Sequence, residues 1–181
     1  MNNLFYKMKS KFMEWFSDIR IYPVGIVFYG NTAYEIKGSD MRFILNNIKP
    51  GDLLLRKYKY FIGSMIVPGY FSHIGVYVGS DRVVHMSFDG ITSEDILTFM
   101  RCDSMCLLRP AVLDINKAIN KANDYLMQEI PYDFNFGSTL DRMYCTEFIN
   151  DIYDNPITSA KIIMPDEFLK CSYFNVIWKK T

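Results

Sequence analysis

A chain of 181 residues that is 50% hydrophobic and 22% charged is long enough to bury one core without staples and too apolar to stay disordered. Its 20 basic residues balance 20 acidic ones, so composition supplies no positive surplus for a nucleic-acid partner. The cysteines Cys102, Cys106, Cys145 and Cys171 form no CxxC pair and no disulfide-framework spacing, and neither a metal nor another cofactor is expected.

Leu4, Phe5, Met8, Phe12, Trp15 and Phe16 recur at helical spacing between lysines, which predicts an amphipathic helix over 4–16. Such a helix packs on the domain or lies on a membrane surface or partner protein. Lys7, Lys9, Lys11 and Glu14 interrupt any apolar core of the kind export requires. The expected compartment is therefore the cytoplasm, that of a host cell if the gene is viral or from a phage. A second short helix is expected over 40–48, stopped by Pro50-Gly51, and Asp52–Lys57 reads as a strand. Tyr60–Ser80 lacks Asp, Glu, Lys and Arg and approaches bilayer-spanning length. Pro68-Gly69, Ser72-His73 and four glycines argue against a membrane span and for a short helix over Tyr60–Val67, a turn and a buried strand.

His73–Val78 and Arg82–Phe88 are rich in β-branched residues and flank a Gly-Ser-Asp turn, the signature of a hairpin. Ser93–Met100 is expected to be a helix capped by Ser93, and Ser104–Pro110 a core strand. Ile115, Ala118, Ile119, Ala122, Leu126 and Ile130 mark an amphipathic helix from an Asp114 cap. After the loop 131–142, Cys145, Phe148, Ile149, Ile152 and Tyr153 share one face of a further helix. Met164–Lys170 suits a short helix and Ser172–Trp178 a closing strand. Strands and helices mix without regular alternation, so the class is α+β, one domain in which residues 1–45 extend a core over 50–178.

The two histidines of the chain, His73 and His85, both fall in the hairpin. A thiol attacks only as thiolate, and a helix N-terminus and a nearby imidazole both favour that form. Cys145, in the first turn of its helix, has the first device and gains the second if His73 packs against it. The two histidines share a face only if an odd-length turn or an equivalent bulge pairs residue 75 with 85; a plain two-residue turn sends them to opposite faces. The odd register is expected, with His85 orienting the His73 ring. Cys102 and Cys106 read as small buried hydrophobes.

Gly51-Asp52-Leu53-Leu54-Leu55, Ser72-His73-Ile74-Gly75-Val76-Tyr77-Val78-Gly79 and Val83-Val84-His85-Met86 together resemble the core of NlpC-type cysteine peptidases. Pro131-Tyr132-Asp133-Phe134, followed by Tyr144-Cys145-Thr146-Glu147-Phe148-Ile149, resembles the permuted papain-like amidases of the YaeF/YiiX family, in which the cysteine helix follows the histidine strands. The resemblance covers about residues 50 to 170. It implies a circularly permuted papain-like fold, an antiparallel sheet packed against helices, and an added amphipathic N-terminal helix. It also implies Cys145 as nucleophile, His73 as base and His85 as orienting residue. Tyr132, Asp133, Tyr144 and Glu147 match the family motif as substrate or structural support, Glu147 as a cap or loop anchor. Thr139 stands where papain-type enzymes carry an oxyanion-binding glutamine, so the Cys145 backbone N–H must serve.

The expected activity is hydrolysis of an amide in a peptide, a cell-wall peptide or an acyl-amide, through a thioester acyl-enzyme. Two alternatives stay open. One is acyl transfer or ester hydrolysis on lipids, as in the lecithin–retinol acyltransferase-like branch, with peripheral membrane contact through the N-terminal helix. The other is a binding module that has lost turnover.

Overall fold

The structure, a computed structural model, describes residues 7–13, 20–21, 27–28, 34–137, 141–157 and 162–181. Arg20–Ile21 pairs with Val27–Phe28 in an antiparallel two-stranded sheet, and a separate six-stranded sheet organises most of the others. Its strands are β1 (Leu53–Lys57), β2 (His73–Gly79), β3 (Arg82–Ser87), β4 (Gly90–Asp95), β5 (Ser104–Pro110) and β6 (Phe174–Lys180), all antiparallel, in the order β4-β3-β2-β1-β5-β6. The helices are α1 (Gly38–Asn47), α2 (Ile62–Ile66), α3 (Ile96–Phe99), α4 (Ile115–Leu126), α5 (Cys145–Ile152) and α6 (Glu167–Lys170). Residues 7–13 are helical, with Met8 and Phe12 exposed and Met13 against the core. The rest of the helix expected over 4–16 lies outside the described residues.

Two apolar cores cover the two faces of the sheet. Leu53, Leu55, Ile74, Val76, Val84, Met86, Cys106 and Leu108 point to the side where α4 and α5 pack. Leu54, Tyr77, Val83, Met105 and Leu107 point the other way, onto Ile44, Ile96 and Phe99. This period-two split is what a sheet covered on both faces requires, and it explains the near-continuous apolar run of β1. Asp52, almost fully buried, is held by Arg109 through Nε (2.9 Å) and Nη2 (2.7 Å). Tyr153, which ends α5, donates to the Gly51 carbonyl in the turn before β1, fixing that helix over the sheet.

The segment expected to be one helix over Ser93–Met100 is different. Residues 90–95 form β4, paired with β3 from Ser87–Gly90 to Arg82–Asp95, and only Ile96–Phe99 is helical. Gly90, at φ 110°, turns the chain tightly enough to make this second hairpin. The cap is Asp95 rather than Ser93; its Oδ1 accepts from Leu97 N (2.9 Å) and Thr98 N (3.4 Å). Two strand residues, Thr92 and Glu94, consequently stand on the same face as His85 and Val83.

Gly75 lies on that face between the histidine positions. A Cβ there would stand 2.8 Å from Val83 Cγ1 and 3.1 Å from the Phe99 ring. Gly75→Ala is expected to cost about 1–3 kcal/mol through overpacking, read as a lower urea midpoint at unchanged slope. An unchanged midpoint would show slack in this face that the packing denies.

Candidate active site

The hairpin register decides where the imidazoles go. Ser80 and Asp81, both at positive φ, form a two-residue turn below the Gly79–Arg82 pair. A bulge at Val78 then shifts the ladder, so that Tyr77 faces Val83 and Val76 faces Val84. Extended one step, this register aligns 75 with 85, and both histidines reach one face. His73 Nε2 lies 3.0 Å from His85 Nδ1, the rings edge to face at 5.0 Å between centroids. Both pack on Phe99, at 6.0 Å and 5.3 Å.

Beneath them Arg56 lies with its guanidinium 4.0 Å above the Phe99 ring, and its Nη1 is 3.2 Å from Glu94 Oε2. The same carboxylate oxygen is 3.4 Å from His85 Nε2. Burial holds His73 well below the ordinary imidazole range, with Arg56 and His85 adding repulsion. His85 is lowered by burial too; Glu94 opposes that shift and Arg56 adds to it. Burial works against ionisation of Glu94, yet His85 and Arg56 hold its carboxyl below the usual range. Sequence reasoning missed Glu94 and Arg56. The available signal was the alternation Thr92–Glu94 next to Gly90, masked by a helix-like spacing of apolar residues after it.

Cys145 is the first residue of α5, with Tyr144 as N-cap. It is buried on the other face, in the core that holds Ile74 and Val76. The amides of Thr146, Ile74 and Cys145 itself and the Tyr132 hydroxyl lie beside its sulfur and favour the thiolate. Burial outweighs them and pushes the thiol up to about 11. Thiol and imidazole thus flank one peptide unit: Ile74 N–H reaches the sulfur, and the preceding residue carries the His73 ring. That ring's Nε2 is engaged by His85 rather than by the thiol.

A pocket opens where the start of β2 and the end of β3 part, and both sheet faces contribute to it. His73, His85 and Arg56 line it from one side, Met86 and Tyr132 from the other, with Tyr58, Phe61 and Phe88 around them. Tyr132 therefore touches the thiol and walls the cavity that holds the imidazoles. The remaining motif residues hold the scaffold. Asp133 is buried and accepts from Asn135 N (2.9 Å) and Gly137 N (2.6 Å), and the Tyr144 hydroxyl accepts from Ile163 N (3.2 Å). Glu147, third in the helix, has the Tyr144 amide near its carboxyl, which favours the ionised form. Thr139 lies outside the described residues. Among the described residues no group of three or more His, Cys, Asp or Glu side chains converges as metal ligands, and no helix is long and apolar enough to cross a membrane.

The model of the permuted papain-like amidase enzymes, YaeF/YiiX, C92 family, matches residues 47–170. Among solved structures, metalloprotein yiiX from Escherichia coli O157:H7 superposes with a TM-score of 0.59 at 14% identity, covering 73% of this chain and 97% of that one. None of the curated proteins matches.

Burial raises Glu147 to about 7 from its ordinary 4.5, with Asp133 and Asp151 adding repulsion against the Tyr144 amide. A carboxyl raised in the folded state is stabilising while protonated in both states. That contribution is lost as pH climbs from about 4.5 through about 7. Glu147→Gln keeps the size of the side chain without its titration and should flatten the fall in melting temperature across that window. An unaltered slope would contradict the half-buried, repelled carboxyl.

Proposed function

Since the chain belongs to the YaeF/YiiX family of permuted papain-like amidase enzymes, we infer that it is a cysteine hydrolase in which Cys145 attacks an amide carbonyl and His73 moves the proton. The observation that carries this reading is the shared wall: Tyr132, beside the Cys145 sulfur, lines the same pocket as His73 and His85. The directions of the shifts, thiol up and imidazoles down, leave the resting pair neutral near pH 7. Proton transfer then accompanies attack rather than preceding it.

His73 Nε2 faces His85, so Nδ1, the ring nitrogen nearer the backbone, is the one available to the thiol beside Ile74. Nδ1 takes the thiol proton as sulfur bonds to the carbonyl carbon. The tetrahedral oxyanion forms at the start of α5, where the Cys145 N–H and the positive helix end meet developing charge. The protonated imidazole then gives its proton to the leaving amine. Water, deprotonated by the same nitrogen, cleaves the thioester and frees the acid. Tyr58, Phe61, Met86 and Phe88 around the imidazoles favour an apolar or aromatic group next to the scissile carbonyl.

A lipid-acyl reading draws on the exposed Met8 and Phe12 of the 7–13 helix, which would suit a membrane-borne substrate. One assay separates the classes. The protein is mixed with medium-chain acyl 4-nitroanilides, peptide nitroanilides and phospholipid vesicles, and the adduct is located by mass spectrometry. Release of nitroaniline with a transient acyl group on Cys145 is expected, abolished in Cys145→Ala and reduced about 10²–10⁴-fold in His73→Ala. Acyl capture from vesicles alone shifts the reading to lipids, and turnover that survives Cys145→Ala overturns the thiol mechanism.

A further inference from the structure

The buried pair of histidines poses a problem that hydrogen-bond counting solves. A neutral imidazole carries one N–H and one bare nitrogen. Between His73 Nε2 and His85 Nδ1, 3.0 Å apart, one must donate and the other accept. If His85 donates, its Nε2 is bare and His73 carries its proton on Nδ1, where it cannot serve as base. If His73 donates, His73 Nδ1 is bare and His85 carries its proton on Nε2. Only the second arrangement supports general-base chemistry at the thiol.

What faces His85 Nε2 decides between them. That nitrogen is fully buried and makes no well-aligned hydrogen bond. The group opposite is the Glu94 carboxylate, with Oε2 at 3.4 Å, long for a neutral bond but close for a charge acting through a buried gap. An ionised carboxylate only accepts, and Arg56 and His85 keep this one ionised despite its burial. The bare-nitrogen form of His85 would set a lone pair against negative charge. The N–H form meets an acceptor. Arg56 has the complementary task. It binds the same Oε2 at 3.2 Å, donates to the Phe99 carbonyl at 3.3 Å and stacks on the Phe99 ring, so the carboxylate is held from below.

The geometry points to Glu94, anchored by Arg56, as a positioning residue that sets the tautomers of both imidazoles and leaves His73 Nδ1 as the basic nitrogen. Its consequence for catalysis rests on the Cys145–His73 reading above; the tautomer assignment itself does not. Glu94 lies beyond His85 in a line from thiol to carboxylate: it orients the ring that orients the base. Because the guanidinium and carboxylate neutralise each other beside the histidines, removing either alone strands a buried charge against the pair.

The chain has two histidines, so protein labelled with 15N-histidine gives two imidazole spin systems whose long-range proton–nitrogen correlations report the tautomer directly. At pH 8 both rings are expected as Nε2–H. Glu94→Gln offers a carbonyl acceptor and should keep both tautomers, while loss of the carboxylate charge leaves Arg56 unpaired and lowers kcat/KM. Arg56→Met/Glu94→Leu removes the pair without leaving a lone charge, and should populate Nδ1–H forms and lower kcat/KM about tenfold or more with little change in KM. A wild-type ring found mainly as Nδ1–H overturns the inference, as do unchanged tautomers in the double variant. Failure of the hydrolase reading shows separately, as activity that persists in Cys145→Ala.

Discussion

One extra residue in the β2–β3 hairpin determines which faces the imidazoles occupy. A two-residue turn without the Val78 bulge would pair 77 with 84 and send His85 into the core of Val84 and Met86. With the bulge, His73 and His85 meet at 3.0 Å, and everything else in the site is arranged around that contact. Gly75 leaves room for the Phe99 ring, which both histidines use as a floor. β4 brings Glu94 to the far side of His85. α5 delivers the thiol to the opposite side of the same backbone.

Burial governs the electrostatics of the site. Burial opposes charge on the thiol, on both imidazoles and on Glu94, and only the carboxylate has enough opposite charge nearby to ionise. In the proposed mechanism an imidazolium forming next to His85 gains more from the Glu94 charge than the neutral resting state does, which is the condition for stabilising a transition state rather than a ground state. The amides and hydroxyl around the sulfur act in the same direction, since their attraction strengthens as negative charge develops.

Much of this was legible in the residues themselves. The alternation in 73–78 and 82–88 marks the hairpin, the Asp114 cap and its apolar spacing mark α4, and the family motifs single out Cys145, His73 and His85. What escaped was non-local. Glu94 looked like a residue inside a helix because Ile96, Leu97, Phe99 and Met100 follow at helical spacing, whereas pairing with β3 claims the backbone as far as Asp95. Arg56 sits in an apolar strand and gains meaning only from Phe99 and Glu94, 43 and 38 residues away in sequence. The pocket's aromatic wall joins Tyr58, Phe61, Phe88 and Tyr132 from separate segments. A pattern confined to neighbouring residues does not reveal such convergence.

The proposed pairing of thiol and imidazole across the peptide unit of Ile74 is tested most directly by the pH dependence of Cys145 alkylation with chloroacetamide. The account predicts reaction already well below neutrality, rising with an inflection under the ordinary imidazole value of 6.5 and then level. A rate that stays negligible until pH approaches the thiol's own value of about 11 would mean that no base serves the sulfur.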